Sequence, residues 1–186
     1  MSKLIYIANM SIDGYTEDPQ GRYDWTVPSD EKFIFITNIV KKMGTHLYGR
    51  RMYETMKVWE TDPNFSNASP LLFAFAETWQ AADKIVYSRT LKTVSTHKTR
   101  LERNFESDDI RRLKDSLEKD IMIGGPELAA HAYRNGLIDE CHLFLIPITV
   151  GGGKKAFPDD LKIKMELLEE RRFECGEVYL RYQIKQ

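Results

Sequence analysis

Two adjacent glycines, Gly124 and Gly125, stand between the apolar run 121–123 and the helix-compatible Pro126-Glu127-Leu128. Glycines at such a junction let the backbone approach a bound group with no Cβ in the way. Pro126 suits a first helical position, where its missing N–H costs nothing. The start of the helix offers free N–H groups and a partial positive charge, which suits a phosphate. A nucleotide cofactor is therefore the first reading, although a strand-to-helix turn with two glycines is also ordinary loop chemistry. Neither G-x-G-x-x-G nor G-x-x-x-x-G-K-[ST] occurs, which disfavours the usual dinucleotide fold and the P-loop.

Two further polar turns follow apolar runs. Gly49-Arg50-Arg51 carries guanidinium forks that can bind phosphate bidentately, or that are simply surface arginines. Ser88-Arg89-Thr90 is the third. In an open α/β sheet, ligands gather outside the carboxyl ends of the strands, so three such turns weigh more together than singly. Asp30, beside a long loop, is a candidate for binding a ring edge or relaying a proton, or else a helix-start carboxylate favoured by the dipole. Trp25, Tyr15 and Tyr23 either stack on a planar substrate or close the core. The four histidines show no ligand spacing, Cys141 and Cys175 form no CxxC, and no G-x-S-x-G is present.

The elements that must hold these residues alternate. Residues 4–9 read as a central strand, 10–27 as a long loop, and Ser29 as the cap of a helix that ends near residues 41–43 with Gly44 as its stop. A strand at 45–48 turns at Gly49 into a helix to about Met56, and 63–69 read as loop. A helix over 70–80, a strand over 84–88 and an edge strand within 93–103 follow. Ser107 caps a helix over 108–118, and 121–123 form a strand. The helix opened by Pro126 stops at Gly136, and a long apolar strand over 140–150 is broken by Gly151-Gly152-Gly153. The segment 162–184 reads as a hairpin turning at Cys175-Gly176-Glu177, with Val178, Leu180, Tyr182 and Ile184 on one face. Residues 1–186 are expected to form a single α/β domain: a mostly parallel central sheet flanked by helices, with antiparallel C-terminal strands.

The chain of 186 residues is 42% hydrophobic and 30% charged, enough for one substantial core. Its net charge of -1 gives no electrostatic reason for a nucleic-acid partner. With no signal-peptide pattern and no apolar run long enough to span a membrane, a reduced cytoplasmic protein is expected.

Taken together, the segments resemble the dihydrofolate reductase-like superfamily, in the branch containing the reductase domain of bacterial riboflavin biosynthesis. The stretches that carry the resemblance are Ser11-Ile-Asp-Gly14, Gly49-Arg-Arg-Met-Tyr-Glu54, Lys84-Ile-Val-Tyr-Ser88, Ile123-Gly-Gly-Pro-Glu-Leu128 and Gly136-Leu-Ile-Asp-Glu140, with Pro147, Gly151 to Gly153 and Phe157. The resemblance implies NADPH as cofactor. It places Ile123, Gly124, Gly125, Pro126, Glu127 and Leu128 against it, and Gly49, Arg50 and Arg51 near its phosphates. Ser88 and Arg89 fall at the adenosine end, with Ala8 and Asn9 beside the nicotinamide. Asp30 becomes the expected proton source, directly or through water, and Trp25, Asp30 and Phe33 the expected substrate contacts. Two positions depart from the pattern: Ile7 stands where the riboflavin reductases carry a lysine, and Met52 where threonine is frequent. The implied activity is hydride transfer to a small heterocycle, a phosphoribosylaminouracil or alternatively a dihydropterin. A non-catalytic nucleotide-binding module is the other class, and a homodimer is implied by the family.

Overall fold

The computed structural model describes residues 1–185. Among these residues are ten strands: β1 (Leu4–Ser11), β2 (Tyr15–Glu17), β3 (Met43–Gly49), β4 (Asp83–Tyr87), β5 (Thr99–Glu102), β6 (Asp120–Gly124), β7 (Glu140–Ile146), β8 (Lys154–Lys155), β9 (Lys164–Arg172) and β10 (Val178–Lys185). Seven α-helices lie among them: α1 (Asp30–Val40), α2 (Arg50–Met56), α3 (Val58–Thr61), α4 (Pro63–Ser66), α5 (Pro70–Ala81), α6 (Ser107–Ser116) and α7 (Pro126–Arg134). Eight strands form one sheet in the order β5-β4-β3-β6-β1-β7-β10-β9, and β2 pairs with β8 in a separate ribbon. Strands β5 to β7 of that order run parallel, and β10 joins β7 antiparallel.

The apolar character of β1 follows from its central place. Leu4, Tyr6, Ala8 and Met10 pack on one face with α6 and α7, and Ile5 packs on the other with α1, α2 and α5. A parallel strand covered on both faces needs apolar residues at consecutive positions. One α/β domain results, with the mostly parallel sheet and antiparallel C-terminal strands that the alternation predicts.

Several boundaries differ from the sequence reading. Helix α1 ends at Val40, and Gly44 lies inside β3 instead of stopping the helix. A Cβ there would sit 2.8 Å from Lys119 Cβ, so this glycine serves close packing. Residues 63–66 form a helical turn because Asp62 Oδ1 accepts from the backbone N–H of Asn64 at 3.1 Å and of Phe65 at 3.2 Å. Glu106, not Ser107, occupies the N-cap position of α6. Strand β7 stops at Ile146, before Pro147, which has no N–H for the ladder. Strand β1 continues to Ser11, and the expected loop contains β2 and a short 3₁₀ helix, Asp24–Thr26.

The terminal hairpin forms as expected, closing where Phe173 N–H donates to Glu177 O at 2.9 Å. Leu180, Tyr182 and Ile184 pack toward the α7 side, while Tyr179 is buried on the opposite face against Phe35 of α1, with ring centroids 4.8 Å apart. Lys32 of α1 pairs with Glu177 of the hairpin turn, both buried, and so ties the two elements together. Both cysteines are free, Cys141 buried and Cys175 exposed. Among the described residues, no helix is long and apolar enough to cross a membrane, and no cluster of three potential metal ligands occurs.

Candidate functional site

A cleft of about 560 Å³ opens at the carboxyl ends of β1, β3 and β6. Its size falls within the roughly 300–1,000 Å³ of small-molecule sites. Its position is the one expected for ligands of open α/β sheets.

The junction of β6 and α7 supplies one wall, with Gly124, Gly125, Pro126, Glu127 and Leu128. Gly125 stands at the N-cap position with φ +91°, a region that L side chains rarely adopt, and makes no side-chain cap to the helix. A Cβ at Gly124 would lie 3.0 Å from Tyr48 Cε1, so bulk is excluded there too. The first-turn N–H groups of α7 are thus left uncapped beside the cleft.

Gly49, Arg51 and Met52 line the cleft from the junction of β3 and α2. Arg50 is directed elsewhere: its Nε donates to Glu54 Oε1 at 2.9 Å and its Nη1 to Thr90 Oγ1 at 3.2 Å. From β1 come Tyr6, Ile7, Ala8 and Asn9. Asn9 Oδ1 is buried with no hydrogen-bond partner. Burial raises the Tyr6 phenol far above its usual range, and the hydroxyl donates to Ala156 O at 3.0 Å. Tyr6 is therefore a neutral wall residue whose proton is engaged.

The remaining wall comes from parts of the chain that sequence reasoning did not join. Strand β2 contributes Thr16 and Glu17, the following segment Tyr23 and Thr26, and β8 contributes Lys154. Glu17 accepts from Arg51 Nη2 at 3.0 Å. Lys154 Nζ lies 2.9 Å from Glu127 Oε1 and 3.6 Å from Glu17 Oε1. The hydrogen bond from Lys154 holds the Glu127 carboxyl below the usual carboxylate range. The one sequence signal for this arrangement is the glycine triplet. At Gly153, with φ +117°, a Cβ would fall 2.0 Å from Glu17 O, so only glycine lets the two segments meet.

Ala8, Asn9, Tyr23, Gly49, Arg51 and the stretch 124–128 are thus brought to one cleft. The other expected site residues lie outside its lining. Ile123 is fully buried in the core. Ser88 Oγ accepts from the backbone N–H of Leu91 at 3.0 Å and shapes its own turn, while Arg89 is exposed. Phe33 stacks on Trp59 within the helical core, with centroids 6.0 Å apart. Trp25 Nε1 donates to Arg22 O at 3.3 Å. Asp30 is exposed in the first turn of α1, where the helix dipole favours a carboxylate.

The family model of the RibD C-terminal domain matches residues 2–179. The chain belongs to this family. Among curated proteins it is 26% identical over 188 residues to the uncharacterized protein YyaP of Bacillus subtilis (strain 168), covering 97% of this chain and 94% of that one. A solved structure from Shewanella sp. PV-4, named for riboflavin biosynthesis, superposes with a TM-score of 0.75 at 21% identity, over 99% of each chain. Acinetobacter baumannii RibD superposes with a TM-score of 0.72 at 15% identity, over 100% of this chain and 59% of that one. At these identities the structural matches establish a shared fold, the dihydrofolate reductase-like arrangement of the RibD C-terminal domain.

Proposed function

We propose that this member of the RibD C-terminal domain family is an NADPH-dependent reductase of a small heterocyclic substrate. The observation that carries the reading is the junction of β6 and α7. There the uncapped helix start and the positive-φ Gly125 open into the cleft beside Asn9, whose buried Oδ1 lacks a partner. A buried acceptor left unpaired costs about 1–3 kcal/mol, which a ligand N–H from a carboxamide or ring imide would offset. The residues present therefore fit a dinucleotide, and the bound cofactor would supply the hydride.

The chain's own part is binding and orientation. Gly124 and Gly125 keep side chains out of the cleft, Arg51 brings positive charge to phosphate, and Ala8 and Asn9 form the floor. The apolar Ile7, in place of the lysine of riboflavin reductases, lines the same cleft and removes a charge that a polar substrate would meet. Asp30 lies outside the wall, so a proton from it would travel through water. A phosphoribosylaminouracil is the substrate class that the family suggests, with a dihydropterin second.

Ligand-induced stabilisation tests the reading. NADPH at a hundredfold excess over its Kd should raise the melting temperature by about 5–10 °C through mass action. Gly125→Val should abolish that shift, because it places both a strained backbone and a branched side chain at the junction. No shift with any dinucleotide in the unaltered protein would sink the proposal. A shift without NADPH oxidation by pyrimidine or pterin substrates would favour a non-catalytic binding module.

A further inference from the structure

Glu17 divides its two carboxylate oxygens between two cations. Oε2 accepts from Arg51 Nη2 at 3.0 Å, and Oε1 faces Lys154 Nζ at 3.6 Å. Arg51 comes from the start of α2 and Lys154 from β8, and all three side chains line the cleft. Glu17 and Lys154 are mostly buried, at 17% and 20% side-chain exposure, so their charges are less screened than those of a surface pair. A guanidinium and an ammonium converging on one pair of oxygens is also the arrangement that binds a phosphate group.

We propose that Arg51 and Lys154 form a phosphate-binding pair whose place the Glu17 carboxylate holds until a phosphate ester displaces it. The proposal deepens the dinucleotide reading and rests on it for the cleft's use. Displacement needs little backbone movement. The main chain of Glu17 is pinned against Gly153, so rotation of one side chain frees Arg51 and leaves Lys154 held by Glu127 alone. Glu127, 2.9 Å from Lys154 and largely exposed, gives the ammonium a second carboxylate that holds it at the mouth. A phosphate dianion can outcompete a single carboxylate for two cations, whereas an uncharged ligand gains nothing from them. The device therefore selects for phosphorylated ligands.

The phosphate could belong to the cofactor or to a phosphorylated substrate, and calorimetric titration of NADPH and of UMP separates the two. Glu17→Gln should bind one of these ligands about three- to tenfold more tightly than the unaltered protein. Lys154→Met should bind the same ligand about tenfold more weakly. The gain from Glu17→Gln should shrink in the Lys154→Met background, as it must if the two groups are coupled. A response with NADPH identifies the cofactor as the source of the phosphate, and a response with UMP identifies the substrate. If NADPH binds the unaltered protein but Glu17→Gln improves neither ligand, the displaced-carboxylate pair is overturned and the cofactor reading stands. If NADPH binds no variant while UMP responds as described, the pair stands and the cofactor reading is overturned. Should Lys154→Met fail to fold, the Glu17→Gln titrations decide alone.

Discussion

Asn9 sits on β1 in register with Phe144 of β7, with a cleft on one side and the sheet on the other. Its unpartnered Oδ1 costs the unliganded protein stability and gains value only when a donor arrives. A packing role and a binding role therefore predict different outcomes. Asn9→Leu should weaken NADPH binding about five- to tenfold while leaving the unliganded melting temperature unchanged or slightly higher. A lower melting temperature with unchanged affinity would make Asn9 a structural residue. Two expected site residues that lie outside the cleft lining show the complementary lesson. Phe33 stacks into the helical core and Ser88 builds its own turn, because a side chain's type does not say which way its element faces.

At the scale of elements, the ribbon of β2 and β8 decides whether the cleft has its outer wall. It has only two paired positions, Tyr15 with Lys155 and Glu17 with Lys154. It is reinforced where Asp13 Oδ2 accepts from Gly151 N–H at 2.8 Å and where Ala156 N–H donates to Gly14 O at 2.9 Å. Gly153→Ala drives a Cβ into the Glu17 carbonyl and should detach this ribbon locally. Amide exchange should speed up over residues 13–17 and 151–156 but not in β1, and NADPH affinity should fall about tenfold. Uniformly faster exchange across the sheet would show instead that the ribbon is part of the global core. Opposite propensity does not prevent strand formation at β9, whose Met165 to Arg172 could form a helix by residue type. Its pairing with β10 outweighs that local preference.

For the molecule as a whole, several buried titratable groups set the response to acid. Burial holds His46 at about 3 and, despite the opposing pull of Glu140, His142 at about 4. Burial alone would raise Glu140, but hydrogen bonds from Arg181 and Lys3 overcome it and hold the carboxyl at about 2. All three groups bind protons more weakly folded than unfolded. The histidines contribute stability above the unfolded value near 6.5 that is lost as pH falls toward about 4 and about 3. The Glu140 contribution is present above about 4.5 and is lost as pH falls toward about 2. Urea unfolding should therefore show falling stability below about pH 6.5 and a second decline below about pH 4.5. Glu140→Gln should cost about 2 kcal/mol at pH 7, discounted for the exposed parts of Lys3 and Arg181, and its deficit should narrow as pH approaches 2. A deficit constant with pH would show that packing, not charge, is what Glu140 supplies.

The alternation of strands and helices, the cap at Ser29, the terminal hairpin and the Gly124-Gly125-Pro126 junction were legible in the amino-acid order alone. Each depends on periodicity or on backbone freedom within a few residues, and the family motifs add their order along the chain. The insertion of β6 between β1 and β3, the meeting of Glu17 with Lys154, the exposure of Asp30 and the turning of Arg50 toward Thr90 were decided only by tertiary structure. These depend on register, crossover and packing between distant segments. Their free energy comes from contacts that exist only once the sheet has formed, so no local pattern encodes them.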